Sequence, residues 1–143
     1  MDLGLGPKGA QVRAAAGPCP VILLDTNALI WLYEGHRRSR PLVRWSGRLY
    51  ASPASLLEIQ LLLESGRARV RRGMAVAALT DDGRWLLDEP SSAAWFTRAL
   101  DLGWTRDPFD RLLVAHAGLR GWRLATGDEE LLRRLGERGS VEL

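Results

Sequence analysis

One short apolar run, Val21-Ile22-Leu23-Leu24, constrains the fold more than any other part of the chain. Four consecutive apolar residues are typical of a strand buried on both faces, as in a parallel sheet. Asp25, Thr26 and Asn27 follow at once, and a helical pattern of apolar residues begins at Ala28. We therefore predict a central strand whose carboxyl end carries Asp25, at the edge where open α/β sheets place their ligand crevices. Asp25 or Thr26 could equally serve only as the N-cap of the next helix, and this stretch alone leaves that alternative open.

Length and composition indicate one soluble globular domain. A chain of 143 residues with 46% hydrophobic and 26% charged residues can bury a sizeable core. Residues 1–19 are rich in Gly, Ala and Pro without apolar periodicity, so we predict a disordered or linker-like lead followed by a domain over 20–143. No run is long enough to cross a bilayer and no signal peptide is evident, which predicts a cytoplasmic protein without a membrane partner. The single cysteine, Cys19, excludes an intramolecular disulfide and a thiolate metal cluster.

The positive charge is almost entirely arginine. Net charge is +3, and Lys8 is the only lysine. Arginine pairs well with phosphate, which permits a nucleic-acid partner, although genome composition explains an arginine bias equally well. The segment His36-Arg37-Arg38-Ser39-Arg40 is predicted to be exposed, either as a solvated face or as a rim that contacts phosphate.

Strands and helices alternate along the rest of the chain. This order predicts a parallel or mostly parallel sheet with helices on both faces. Besides the first strand, strands are predicted at 48–52, 85–87, within 121–126 and, as an edge strand, at 140–143.

Glu58 is the second informative acid. The helix predicted from about Pro53 to Gly66 has a polar face and an apolar face. The polar face carries Gln60, Glu64 and Arg67, and the apolar face carries Leu57, Ile59, Leu61 and Leu62. Glu58 falls in the middle of the apolar face. A carboxylate there is costly unless it pairs with an arginine or binds a cation, and both remain open.

A third group of acids opens the helix that follows Arg106. Asp107 is a natural N-cap, whereas Asp110 is in the first turn and projects from the apolar side of the helix. His116 lies on a different face of the helix from Asp110 and is predicted to have a structural role. Asp128 repeats the pattern of Asp25, because it follows a short strand and precedes a helix that it could simply cap.

The predicted topology brings these acids to one edge of the sheet. Asp25 and Asp128 follow strands, and Glu58 and Asp110 lie in helices that begin at the same edge. Carboxylates packed together repel one another unless a divalent cation neutralises them. Oxygen ligands favour Mg²⁺ or Mn²⁺ over Zn²⁺, and such a site can activate water for phosphodiester cleavage.

Four motifs resemble the PIN-domain nucleases, and most closely the VapC toxins of bacterial toxin–antitoxin pairs. They are Leu24-Asp25-Thr26-Asn27, Ser55-Leu56-Leu57-Glu58-Ile59, the run from Arg106 through Ala115, and Thr126-Gly127-Asp128. They occur in the family's order, and the resemblance covers about Val21 to Leu143. It implies a PIN-like three-layer α/β/α fold with a central, mostly parallel sheet of four to five strands.

The resemblance also implies an activity and the residues that carry it. It implies a Mg²⁺-dependent endoribonuclease, with Mn²⁺ as a possible substitute, that acts as the toxin of a toxin–antitoxin pair. Asp25, Glu58 and Asp110 resemble its metal ligands, and Asp128 resembles a fourth acid for a second metal or for water. Asp107 would either join the acidic pocket or only cap its helix. The remaining candidates are groups that orient the ligands (Thr26, Asn27, Thr126) and arginines that contact RNA (Arg106, Arg111).

The family also implies partners: an RNA substrate, a cognate antitoxin and a second copy in a homodimer. The chain departs from the family in its lead and in Trp104-Thr105, where relatives often carry a histidine. Two other functions compete with the nuclease. One is a catalytically inactive PIN-like module that binds RNA or a protein partner. The other is phosphotransfer through an Asp25 nucleophile, for which a second acid is usual at the position that Asn27 occupies.

Overall fold

A five-stranded sheet forms the centre of the molecule. The structure is a computed structural model that describes residues 20–68 and 75–143. The strands are β1 (Val21–Leu24), β2 (Arg48–Ala51), β3 (Leu86–Leu87), β4 (Arg123–Thr126) and β5 (Ser140–Glu142). Their order is β3-β2-β1-β4-β5, and every neighbouring pair is parallel. The α/β class and the predicted number of strands are therefore confirmed.

Helices cover both faces of this sheet. They are α1 (Thr26–Glu34), α2 (Arg40–Val43), α3 (Pro53–Glu64), α4 (Val76–Thr80), α5 (Ser92–Ala99), α6 (Pro108–Arg120) and α7 (Glu129–Gly139), with a 3₁₀ turn at Arg37–Ser39. One core joins the sheet to α1–α4, and another joins it to α6 and α7. The three-layer α/β/α arrangement follows from these two cores.

The strand β1 is buried on both faces, as its sequence predicted. Ile22 and Leu24 belong to the core beneath α1, Leu23 belongs to the core beneath α6, and all three are 0% exposed. Because side chains alternate along a strand, a run of apolar residues is needed to fill both cores. This central position places Asp25 at the middle of the sheet's carboxyl edge.

The pairing of β1 with β4 fixes the neighbours of Asp25. Leu24 is in register with Ala125, and the Asp25 amide donates to the Ala125 carbonyl oxygen at 3.0 Å. The residues that follow the two strands therefore start from adjacent points on the same edge. This is the physical basis for the predicted convergence of the first and last motifs.

Several element ends differ from the predictions in small ways. The helix α3 ends at Glu64, before the glycine predicted to close it, and Gly66 has a left-handed φ of 70°. Within α7, Gly136 has φ 67° and ψ −179°, so the regular helix is interrupted at this residue. The sequence also carries an arginine-rich run at 67–72. Most of that run, the predicted lead and Cys19 lie outside the described residues. No helix in the described ranges is long and apolar enough to span a membrane.

His116 has a structural position, as predicted. It is 0% exposed, and its Nε2 donates to Asp88 Oδ2 at 2.7 Å. Arg120 Nε donates to the same oxygen at 2.8 Å. These contacts attach α6 to the segment that follows β3.

Candidate metal centre

One cavity of about 150 Å³ brings together the four acids that the sequence singled out. Asp25 and Asp128 reach it from the ends of β1 and β4, Glu58 from α3, and Asp110 from the first turn of α6. The other lining residues are Thr26, Asn27, Leu62, Leu113 and Leu131. In residues 20–68 and 75–143, no three acidic, histidine or cysteine side chains already enclose a point at metal-ligand distances. An ion shared by the carboxylates therefore requires their side chains to rotate inward.

Asp25 both caps a helix and lines the cavity. Its Oδ1 accepts from the Ala28 amide at 2.7 Å, which makes it the N-cap of α1. Its side chain also accepts a hydrogen bond from Thr126. Burial raises the pKa of Asp25 to about 6, against the opposing effect of these hydrogen bonds. The cap and the pocket, which the sequence presented as alternatives, are therefore compatible in one residue.

Glu58 is half-buried and is held by the opening turn of α1. The Thr26 hydroxyl donates to Glu58 Oε1 and lies 3.2 Å from the hydroxyl oxygen of Ser55. Burial raises the pKa of Glu58, the Thr26 hydrogen bond opposes this, and the charge of Asp107 adds to it. A neutralising cation is therefore a more favourable neighbour for Glu58 than the acids that now face it.

The predicted surroundings of Glu58 need a correction. Leu57 and Leu61, which we placed on the buried face with Glu58, are 57% and 44% exposed. Glu58 thus lies at the border of the buried face, because α3 packs through Ser55 and Ile59 rather than through the whole leucine arc. Glu58 also forms no ion pair with an arginine anywhere in the described part of the chain.

Asp110 experiences the strongest repulsion in the cavity. Its pKa is raised to about 7, first by burial and then by the charges of Asp107, Glu58, Asp128 and Asp25 in that order. Contributions from four carboxylates show that their fields overlap at this position. Without a counter-ion, Asp110 is only partly ionised at neutral pH.

Asp128 and Asp107 are both exposed N-caps, but they line different cavities. Asp128 lines the acidic cavity while its Oδ1 accepts from the Leu131 amide at 2.9 Å. Asp107 Oδ1 accepts from the amides of Phe109 and Asp110 at 2.8 and 3.2 Å. Asp107 lines a neighbouring cavity of about 390 Å³, which Glu58 also lines, rather than the acidic cavity itself.

Hydroxyl groups connect the acids to one another. The buried Thr126 Oγ1 accepts from the Asp128 amide at 3.0 Å while its hydroxyl reaches Asp25. Asn27 lines the cavity but is exposed. Ser55, which is 0% exposed, contacts Thr26 and was given no role from the sequence. The sequence could have indicated a role for Ser55, since it is a small polar residue one helical turn before Glu58.

Neither arginine predicted to contact RNA lines the acidic cavity. Arg111 is partly buried, and its Nε donates to the Thr105 carbonyl oxygen at 2.8 Å. Arg106 is exposed. Their role toward RNA therefore stays a prediction, and Arg111 in addition stabilises the loop before α6.

The donor chemistry of the cavity suits a hard divalent cation. Every polar side chain that lines it offers an oxygen atom, and Asn27 carries an amide nitrogen in addition. The described lining includes no thiolate or imidazole. The raised pKa values of Asp25, Glu58 and Asp110 show that burial and mutual repulsion outweigh the hydrogen bonds to their ionised forms. A bound cation would stabilise these ionised forms.

Comparison with known proteins agrees with this fold. The family model for the PIN domain matches residues 22–137. A toxin–antitoxin complex from Klebsiella pneumoniae is similar with a TM-score of 0.58 and 23% identity, over 85% of this chain and 99% of that chain. VapBC2 from Rickettsia felis, bound to a promoter DNA fragment, is similar with a TM-score of 0.59 and 14% identity, over 86% and 98%. No curated protein sequence matches significantly. The family-model match spans most of the domain, and the chain belongs to the PIN-domain family.

Proposed function

We propose that this chain is a Mg²⁺-dependent endoribonuclease that hydrolyses RNA phosphodiester bonds and serves as the toxin of a toxin–antitoxin pair. The observation that carries the proposal is the convergence of four carboxylates, from four separate elements, on one cavity at the carboxyl edge of the sheet. PIN domains are generally nucleases and usually bind a divalent metal. The family and the cavity thus support the same activity.

In this proposal Asp25, Glu58 and Asp110 hold the ion, and Asp128 serves a second ion or the attacking water. Bound Mg²⁺ would neutralise charge on the acids and the phosphate and would favour deprotonation of water; Mn²⁺ would substitute. Thr26 keeps Glu58 oriented, and Thr126 does the same for Asp25. Asn27 and Asp128 line the cavity as exposed residues, which would give a phosphate access, whereas Asp25 and Thr26 are buried.

The toxin assignment rests on the kind of proteins that share the fold. Both similar structures are toxin–antitoxin complexes, which supports a cognate antitoxin as a partner. A homodimer is supported by large apolar side chains that the described chain leaves exposed. They include Leu57 and Leu61 on α3, and Phe96 and Leu100 at α5.

The decisive experiment is Mg²⁺-dependent cleavage of an RNA panel by the wild type and by matched variants. Asp25→Asn keeps an N-cap side chain while it removes the charge. Glu58→Gln has an internal control in Glu64→Gln, because Glu64 lies on the same helix and bonds only to Gln60 among the described residues. We expect both cavity variants to lose about 100-fold or more in rate and the control to keep it.

An Asp25→Asn protein that cleaves like the wild type would contradict the proposed site. The alternative function is a catalytically inactive PIN-like module that binds RNA or a partner. The observation that favours this alternative is the absence of a preformed metal-ligand cluster in the described residues. If antitoxin-free wild type cleaves nothing with either Mg²⁺ or Mn²⁺ but binds RNA, the module replaces the enzyme.

A further inference from the structure

A cationic cleft lies beside the acidic cavity. The segment after α1 lines a cleft of about 360 Å³ with Gly35, His36, Arg37, Ser39, Arg40, Val43 and Arg44. Arg37, Arg40 and Arg44 are exposed. None of the three forms an ion pair with any described residue. Their positive charge is thus available to an external anion.

The backbone of this segment is fixed, although its arginines face outward. Ser39 and Leu42 are each 2% exposed, and the Ser39 hydroxyl donates to the His36 carbonyl oxygen at 2.6 Å. The His36 ring accepts from the Arg38 amide through Nδ1 at 3.1 Å, which caps the 3₁₀ turn. Because buried Ser39 and Leu42 are three residues apart, they hold one side of the segment against the core. The arginines therefore lie on the opposite, exposed side.

Trp31 and Arg38 connect this cleft to the acidic cavity. The Arg38 guanidinium carbon lies 4.6 Å from the centre of the Trp31 ring, and the His36 ring stacks on the same indole at 5.7 Å. A Cβ at Gly127 would lie 2.8 Å from Trp31 Cη2 and 3.3 Å from Arg38 Cζ. Both side chains therefore rest against Gly127, which is directly bonded to the cavity residue Asp128.

We propose that Arg38, positioned by Trp31 against Gly127, and the arginines of the neighbouring cleft form a phosphate-binding track that leads a single RNA strand to the acidic cavity. The proposal rests on the nuclease function proposed above and names the surface that holds its substrate. Arg37, Arg38, Arg40 and Arg44 will be called the arginine track. Its cations offset the repulsion that a polyanion meets at a cavity lined by four carboxylates.

A flexible polyanion suits the track better than a compact ligand. The guanidinium groups are distributed along a 3₁₀ turn and a short helix rather than gathered around one point. Successive backbone phosphates can meet successive arginines, and guanidinium groups bind phosphate oxygens with paired hydrogen bonds. The track carries no base-reading element that the structure shows, so we expect binding that depends on charge more than on sequence.

The test is binding of a fluorescein-labelled, 2′-O-methylated U12 strand to the full chain in EDTA, followed by fluorescence anisotropy over a range of salt. Neither the probe nor the buffer permits cleavage, so binding is measured independently of catalysis. The track variant is Arg40→Ala with Arg44→Ala. The control is Arg98→Ala with Arg138→Ala, which removes the same charge from exposed positions on α5 and α7.

We expect the track variant to bind about tenfold or more weakly, with its salt slope reduced by about 1.4, since each single-strand phosphate contact contributes about 0.7. The control should keep the wild-type slope. Arg40→Lys with Arg44→Lys should retain most of the slope, which distinguishes lost charge from lost folding. Arg38→Gln should lower both the affinity and the cleavage rate for a cleavable strand.

Two results would overturn the inference. One is a track variant with the affinity and salt slope of the control. The other is a polyglutamate peptide that binds as tightly as U12 and with the same dependence on Arg40 and Arg44, which would assign the cleft to an acidic protein partner. If the wild type cleaves RNA but the track variants bind and cleave normally, the inference fails while the nuclease stands. If binding depends on the track but no RNA is cleaved, the nuclease fails instead.

Discussion

Replacement of Asp110 by asparagine should stabilise the metal-free protein. The carboxyl group of Asp110 has a pKa of about 7 instead of 3.8, because it is partly buried among other acids. At 1.36 kcal/mol per pKa unit, full ionisation in the folded state costs at most about 4 kcal/mol. Solvent reaches the side chain and screens part of this energy, so we expect Asp110→Asn to gain about 1–2 kcal/mol at pH 8.

The stability gained by Asp110→Asn should depend on pH. The pKa of Asp110 is raised on folding, so its destabilising effect is absent below the unfolded value of 3.8 and develops as pH rises towards about 7. The advantage of the asparagine variant should therefore be near zero at pH 4 and largest above pH 7. Asp101→Asn, at an exposed site outside the cavity, should change stability by less than about 0.5 kcal/mol at either pH.

Urea unfolding in EDTA at pH 5 and pH 8, followed by circular dichroism, measures the difference. Addition of Mg²⁺ should raise the stability of the wild type more than that of Asp110→Asn, because the variant has lost one of the proposed ligands. A variant that is destabilised by more than about 1 kcal/mol at pH 8, or that gains equally at both pH values, would refute the reasoning. Asp110 would then act mainly through structural contacts.

Three further predictions concern other parts of the structure. Asp88→Asn should cost about 1–3 kcal/mol in thermal melting, since it weakens the hydrogen bond to buried His116, and an unchanged melting temperature would contradict this. Gly136→Ala should cost about 1–3 kcal/mol in chemical unfolding, because φ 67° with ψ −179° is a region that only glycine adopts readily; an unchanged midpoint would contradict this. Thr26→Val should lower the cleavage rate about tenfold or more without a matching loss in substrate binding, because Glu58 loses its hydroxyl donor.

The central part of the fold followed directly from sequence pattern. The run at β1 must be buried on both faces to hide four apolar residues, and that requirement predicts helices above and below a parallel sheet. Because parallel strands end at one edge, Asp25 and Asp128 were expected to approach each other, and the pairing of β1 with β4 places them there. These predictions depend on periodicity and chain direction, which a single sequence contains.

The details that failed depend on packing between distant segments. Helical angles gave Glu58 an apolar face but did not show which part of that face another element covers, so the exposure of Leu57 and Leu61 was missed. The contact of Trp31 with Gly127 joins segments almost a hundred residues apart and leaves no periodic signal. The dual role of Asp25 was missed for another reason: capping and cavity lining use different parts of one carboxylate, and the sequence presented them as competitors.

A single diffraction measurement tests the metal site most directly: an anomalous difference map from crystals of the protein grown with Mn²⁺. We predict one strong peak within the cavity, at coordination distance of about 2.0–2.3 Å from carboxylate oxygens of Asp25, Glu58 and Asp110. Crystals of Asp25→Asn should show a weaker peak or none. An empty cavity in fully Mn²⁺-loaded wild-type crystals, or a peak bound only by residues outside it, would contradict the assignment of these acids as a metal centre.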